Sequence, residues 1–345
     1  MGRDIILSRC CDCENCIYYN TRCSGCSMCE APLVCNENCT ACSYTCRRRP
    51  GASYYYGLLS GLDTELLRNA AYHAPAYIPT VPSRINTGYN AEDLQVAAVH
   101  GGNFMSASGR AVSGVYASKG VHGALGLNPA TKTILHFYVP DRTLEGFWDN
   151  RKDIYGHLKQ MGFEFVIAPN FSVYEDSPRM EHILNIRRSM IVYNELMEAG
   201  VKAVPDVSWY EKKDLELWVG HIKNGGLKLI SFSFQTVGPQ KRATNAWKGY
   251  MLGLRYLCER IPEDVGIIIV GLSGRGRLKE VAKITGKRSV TVINTFAFMR
   301  AKSGRRYGSR ELALGVTHDE LFIQNVKEMN KRYMLLFGKT GLEPE

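Results

Sequence analysis

From residue 133 onward the chain alternates between two kinds of segment. Short apolar runs recur at Ile134–Val139, Phe163–Ala168, Val201–Val204, Leu227–Phe234, Val265–Val270 and Val290–Ile293. Runs that are apolar at nearly every position suit strands covered on both faces. Between them lie segments with apolar residues at helical spacing, including Pro178–Ala199, Lys241–Ile261 and a late helix over Asp319–Phe337. The last of these opens with Thr317-His318-Asp319-Glu320, which has the form of a capping box. Strand starts are separated by roughly 25 to 38 residues, the length of one βαβ unit. Right-handed crossovers then predict a mostly parallel sheet with helices outside it. Six such units fit an α/β fold, either an incomplete TIM-like barrel or an open doubly wound sheet.

Upstream the pattern is less regular. The apolar spacing from Leu58 to about Tyr72 predicts a short helix, and Pro75, Pro79 and Pro82 then mark an extended connector. Leu94–Val99 and Val112–Tyr116 are β-prone pieces separated by glycines and set close together, so they predict a small antiparallel addition. Arg47-Arg48-Arg49-Pro50-Gly51 combines a basic run with two helix breakers and places a boundary near residue 50. The expected organisation is therefore a module over 1–50, a helical and antiparallel connector over 51–130, and an α/β domain over 131–345.

The first module is defined by cysteine. Eleven of the twelve cysteines lie between Cys10 and Cys46, and only Cys258 stands apart. Repeated CxxC spacings link Cys10 to Cys13, Cys13 to Cys16, Cys23 to Cys26, Cys26 to Cys29, and Cys39 to Cys42, which sets thiolates where a soft metal can collect them. The opening Met-Gly-Arg-Asp-Ile-Ile-Leu-Ser-Arg-Cys has no apolar stretch of secretory length, so a reducing, cytoplasmic setting is expected. An odd number of clustered cysteines also fits metal better than bridges. The expected ligands are Cys10, Cys13, Cys16, Cys23, Cys26, Cys29, Cys35, Cys39, Cys42 and Cys46. Cys13-x2-Cys16-x6-Cys23 followed by Cys26-x2-Cys29-x5-Cys35 nearly repeats one pattern, as where six thiolates share two zinc ions. Cys23-x2-Cys26-x2-Cys29 looks like the start of a ferredoxin run. The segment holds no histidine, so the sites are all-thiolate and compatible with zinc or an iron–sulfur cluster.

Charge and composition add two constraints. With 45% hydrophobic and 22% charged residues the remainder is an ordinary folded protein, and no apolar run approaches the roughly 18 residues a membrane span needs. The formal net charge of +10 suits polyanionic partners, a nucleotide or nucleic acid among them.

Each apolar run ends in polar or turn-forming residues, and in a parallel α/β protein these ends converge on one rim where ligands bind. Asp141, Asp176 and Asp206 are the acid/base candidates there, with Glu175 nearby; His100 and His136 are weaker, and His136 inside an apolar strand reads as a core histidine. Asn170, Ser172, Trp209, Gln235 and Ser273 supply polar or stacking contacts for a cofactor or ligand. Gly271-Leu272-Ser273-Gly274-Arg275-Gly276-Arg277 follows a strand with small residues and two cations, which suits a bound phosphate at Gly274, Arg275 and Arg277. A second basic stretch from Arg300 to Arg310 is interleaved with Tyr307 and suits phosphate-backbone contacts.

Two resemblances accompany these readings. Cys35-Asn-Glu-Asn-Cys39-Thr-Ala-Cys42 has the CxxxCxxC spacing that resembles the radical S-adenosylmethionine enzymes, which implies a cluster at Cys35, Cys39 and Cys42 with S-adenosylmethionine as cofactor. The stretch Ala168-Pro169-Asn170-Phe171-Ser172, then Asn185 and Arg187, then Val204-Pro205-Asp206-Val207-Ser208-Trp209, resembles an uncharacterised domain family of bacteria, phages and mobile elements over roughly 133 to 300. Asn170 stands where that resemblance implies an aspartate. Two classes of function follow. One is an enzyme acting on a nucleotide or nucleic acid; the other is a non-catalytic nucleic-acid or protein-binding factor with a structural zinc module.

Overall fold

A computed structural model of the chain describes residues 65–72, 74–85, 93–174, 179–235 and 244–338. Eight strands form one sheet: β1 (Tyr77–Val81), β2 (Val96–His100), β3 (Lys132–His136), β4 (Phe165–Ile167), β5 (Ala203–Val204), β6 (Leu229–Ser233), β7 (Gly266–Val270) and β8 (Val290–Asn294). Every pairing between them is parallel, in the spatial order β5-β4-β3-β2-β1-β8-β7-β6. That order is the chain order wrapped around a cylinder. Its two ends meet at a single bridge between Asp206 and Ser231, where the Val207 and Ser231 amides donate to the carbonyls of Ser231 and Pro205, each at 2.9 Å. The sheet is therefore a nearly closed barrel, and the open doubly wound alternative is excluded.

Helices separate the strands: α1 (Gly101–Phe104), α2 (Gly114–Leu125), α3 (Asp141–Gln160), α4 (Arg179–Glu198), α5 (Lys212–Asn224), α6 (Thr244–Cys258), α7 (Arg275–Thr285), α8 (Phe296–Lys302) and α9 (His318–Leu336). Two apolar cores result from the period-two alternation of the strands. Leu135, Val166, Ile230, Ile267 and Val292 point outward to the helices, whereas Ile78, Ala98, Ile134, Ile167, Val204, Ile268 and Ile293 fill the lumen. Helix α9 covers the first strand, with Asn330 Oδ1 accepting the Tyr77 amide at 3.2 Å, and it opens on the expected capping box of Thr317 and Glu320.

All six expected strands are present, and two more precede them. The antiparallel addition is not found: β2 pairs in parallel with β1 and β3, and Val112–Tyr116 runs into α2 from Gly114. The stretch from Gly101 to Thr131 is long enough for a helical crossover because α1 and α2 both lie within it, and its one antiparallel feature is the Met105–Val112 bridge. The proline-marked connector contains β1, with Pro79 inside the strand opposite Asn294 of β8. Proline interrupts only one donor position of the ladder, so a flanking apolar strand survives it.

The helix expected over Leu58–Tyr72 is also corrected where it is described, because residues 65–72 are not helical. They run under the amino end of the barrel instead. Asn69 Oδ1 accepts the amides of Lys228 and Leu229 at 2.8 and 3.2 Å while its Nδ2 donates to the Leu229 carbonyl at 2.7 Å, and the Tyr72 ring packs edge-on against Phe165. Backbone polar groups at the start of β6 are thereby satisfied, as burial demands. No helix among the described residues is long and apolar enough to cross a membrane.

Candidate active site

The same alternation that fills the lumen changes chemistry toward the carboxyl ends of the strands. Ile134 is followed two residues later by His136 and two after that by Tyr138, so all three face inward. On β6, Ser231 and Ser233 take the corresponding places, and Thr80 and His100 do so on β1 and β2. An apolar floor thus carries a polar upper layer at the end where barrel enzymes bind ligands.

Asp206 is the hub of that layer on the β5 side. Tyr138 Oη donates to its Oδ1 at 2.7 Å and lies 2.8 Å from Ser231 Oγ, and Asn170 Nδ2 donates to its Oδ2. One carboxylate therefore joins the ends of β3, β4, β5 and β6. It is 1% exposed and has no cation as a partner among the described residues. Burial raises its pKa to about 6, against the lowering pull of the hydrogen bonds from Tyr138, Ser231 and Asn170. Tyr138 is pushed well above the phenol range, first by its own burial and then by the Asp206 charge.

The histidines occupy the β2–β3 side. Their rings meet edge-on at 5.2 Å, and Thr80 Oγ1 lies 3.3 Å from His136 Nε2. Burial lowers the pKa of both: His136 falls to about 3, helped by repulsion from His100, and the His100 shift is opposed by its contact with the Tyr138 carbonyl.

The loop after β4 is held from below by α4. Asn185 Nδ2 donates to the Ser172 carbonyl at 2.7 Å, the Phe171 amide donates to Ser189 Oγ at 3.3 Å, and Arg188 stacks 3.9 Å from the Phe171 ring centroid while forming a two-point pair with Glu145 at 2.8 Å. This grip fixes Asn170 and Ser172 relative to the barrel. Ser172 Oγ then donates to Asp141 Oδ1 at 2.6 Å, and Tyr174 Oη donates to Asp141 Oδ2, so Asp141 at the start of α3 is a second rim carboxylate with both oxygens engaged.

The residues expected at the site are distributed unevenly. Asp206 and Asn170 are in direct contact, and Ser172 contacts Asp141 beside them on the rim. Gln235 is exposed just beyond β6, and Ser273, Gly274 and Arg275 lie in the turn that opens α7. Arg277 is drawn onto the Trp247 ring, 4.7 Å from its centroid. Trp209 does not face the lumen; it packs on Phe232 and Tyr250 in the outer core, against Gly253 of α6. A stacking role there is replaced by packing, because period two turns Asp206 inward and leaves Trp209, three residues on, outward. Asp176, Glu175 and the cysteines from Cys10 to Cys46 lie outside the described residues, among which no group of three or more metal-ligating side chains occurs. Cys258 remains a thiol, pushed up to about 11 by burial.

Thr80, Tyr138, Ser231 and Ser233 are not among the residues the sequence points to, and His136 has the local pattern of a core residue. Period two alone connects them: each lies two residues from a lumen-facing position on its own strand.

These features define a nearly closed parallel α/β barrel with a buried polar cluster at its carboxyl mouth. Residues 127–273 match the family described as Domain of unknown function (DUF4417), from just before β3 to the turn after β7. The match is consistent with the uncharacterised family that the Pro-Asn-Phe-Ser and Pro-Asp-Val-Ser-Trp segments resemble, and it leaves β1, β2 and β8 outside it. No curated protein matches the chain.

Proposed function

We propose that the barrel is an enzyme in which Asp206 transfers a proton at the mouth, acting on a phosphate-bearing substrate, a nucleotide or nucleic acid. Asp206 carries this reading: a buried carboxylate with three neutral partners and no described cation is costly to keep for stability alone, and its pKa of about 6 suits acid/base work near neutral pH. Fixed neighbours on β3, β4 and β6 supply the positioning such a group needs.

The phosphate preference is supported by the small-residue turn over residues 271–274 at the start of α7, by the exposed Arg275, and by the net charge of +10. The cysteine spacing supports an all-thiolate module in the first 50 residues, holding zinc or an iron–sulfur cluster, and the family resemblance supports a phage or mobile-element setting. Metal and sulfide analysis of anaerobically prepared protein separates zinc from a cluster. Cleavage of S-adenosylmethionine by the reduced protein would move the reading to Cys35, Cys39 and Cys42.

The test of the barrel is Asp206→Asn in the metal-loaded full chain. A carboxyl resonance titrating near pH 6, with turnover of nucleotides or oligonucleotides lost in the variant while the fold persists, is the expected result. Titration in the ordinary carboxylate range, or unchanged turnover, overturns it. A second reading, a non-catalytic nucleic-acid-binding factor, is favoured by the basic hairpin after α8. Arg300, in the last turn of α8, and Arg305, in the hairpin, donate to the hairpin carbonyls of Arg306 and Arg310, leaving their charges without a carboxylate partner among the described residues. Tight nucleic-acid binding with no turnover in either form would select it.

A further inference from the structure

His136 is the lumen histidine whose hydrogen bonding is incomplete. Its Nε2 faces Thr80 Oγ1 at 3.3 Å, and its Nδ1 is buried without a partner among the described residues. Thr80 makes no other side-chain hydrogen bond within the same set, so two arrangements are open to the pair. If the Nε2 proton pointed at Thr80, the threonine hydroxyl proton and the Nδ1 lone pair would both be unmet. If Thr80 donates to Nε2, the hydroxyl proton is met, the imidazole carries its own proton on Nδ1, and only that Nδ1–H is left over. The second arrangement leaves fewer buried groups unpaired, and each unpaired group is destabilising.

The neighbours cannot complete the pairing. His100 is fully engaged, since its Nδ1 accepts the Gly102 amide at 3.1 Å and its Nε2 donates to the Tyr138 carbonyl at 3.0 Å. The Tyr138 ring lies 5.4 Å from the His136 ring, but its hydroxyl is committed to Asp206 and Ser231. An aliphatic side chain such as Ile134, two residues earlier on the same face, would fill the space with no polar group to satisfy. A histidine kept there with one donor unmet indicates a partner that arrives from the mouth.

We propose that His136 Nδ1–H is a neutral hydrogen-bond donor to an acceptor oxygen of the substrate, a carbonyl or an oxyanion bound in the mouth between His136 and Asp206. This deepens the enzyme reading and rests on it. Tyr138 links the two residues: it follows His136 on the lumen face at the end of β3, its ring lies 5.4 Å from the His136 ring, and its hydroxyl bonds to Asp206. Burial keeps the imidazole uncharged, with its pKa down at about 3, so it polarises an oxygen without forming an ion pair with Asp206.

The test uses the full chain labelled with ¹⁵N-histidine, the His136 signals being assigned through their loss in His136→Asn. The expected spectrum has a neutral His136 ring protonated at Nδ1 from about pH 5 to about pH 8. Titration with acetamide, a neutral carbonyl, and with inorganic phosphate, an oxyanion, should move the Nδ1 signal saturably with one of the two, which identifies the class of oxygen. A proton on Nε2, an imidazolium in that range, or an Nδ1 signal that neither probe moves overturns the proposal. The Asp206 carboxyl is read in the same samples. A normal Asp206 titration near pH 6 with a failed His136 result removes only the donor, whereas a failed Asp206 titration with a responsive His136 removes only the carboxylate reading.

Discussion

On one side of the barrel mouth, β3 buries one imidazole and β2 half-buries a second; on the other, the ends of β5 and β6 bury one carboxylate. The same desolvation acts on opposite chemistry, lowering His136 to about 3 and raising Asp206 to about 6. Folding therefore takes a proton from one side and adds one on the other. Between about pH 4 and about pH 6 the unfolded chain has a protonated histidine and an ionised aspartate, and the folded chain has neither charge. The histidine makes the fold gain stability as pH rises, because the unfolded state holds the extra proton. The aspartate makes it lose stability as pH rises, because there the folded state holds it. Across that window the two slopes oppose each other, so the pair is nearly silent until one member is removed.

Removing the carboxylate exposes the histidine slope. Asp206→Asn is expected to gain about 1.4 kcal/mol of stability per pH unit from about pH 4 to about pH 6, relative to the unsubstituted chain, for about 3 kcal/mol in all. Above pH 6, where the native charge is fully buried, the variant should equal or exceed the unsubstituted chain in stability, the usual relation between an active-site group and the fold that holds it. Urea unfolding at several pH values measures both effects. A variant whose stability runs parallel to that of the original chain would place Asp206 in an ordinary solvated environment.

His136→Asn tests the opposite side. Here the aspartate slope is exposed, and stability should fall as pH rises from about 4 to about 6. Relative to the unsubstituted chain the loss is about 1.4 kcal/mol per pH unit over that window, about 3 kcal/mol in all, the mirror image of Asp206→Asn. If stability instead runs parallel to that of the unsubstituted chain, His136 is not the group that supplies the histidine slope.

The two sides are not equally legible in the sequence. Asp206 stands out because Val204-Pro205-Asp206 ends an apolar run at a turn, and an acid at a strand end announces itself. His136 lies within an apolar run, where a histidine satisfied in the core and one facing a lumen have the same local pattern. Only closure of the sheet, which depends on the single Asp206–Ser231 bridge, turns the inward face of β3 into a mouth. Likewise β6, β7 and β8 are legible as continuous apolar runs, but β1 is obscured by Pro79, whose missing donor argues locally against a strand and is tolerated only in the context of the whole sheet. Trp209 misleads for a related reason: its proximity in sequence to Asp206 suggests a shared face, and side-chain alternation places it in the outer core.

That outer placement allows the carboxylate side to be perturbed alone. Gly253 of α6 lies against the Trp209 indole so closely that an added Cβ overlaps it. Gly253→Ala should cost about 1–2 kcal/mol through overpacking. It should also shift the Asp206 titration, since Trp209 and Asp206 share the segment after β5, and leave the His136 ¹⁵N signals in place. Equal movement on both sides would mean that the mouth deforms as one unit.

The smallest effect on stability is expected from the rim cations, which belong to neither buried side. Arg275 is exposed at the start of α7, so Arg275→Ala should change stability by no more than about 0.5 kcal/mol. Its contribution should emerge instead in the salt dependence of nucleotide or oligonucleotide binding. Removing one cation that neutralises a phosphate lowers the slope of log K against log salt by about one, while substitutions of Asp206 and His136 leave that slope unchanged because neither presents a cation at neutral pH. Binding measured over a range of salt concentrations separates the two kinds of residue. A slope that Arg275→Ala leaves intact but Asp206→Asn alters would place the phosphate inside the mouth rather than on the rim.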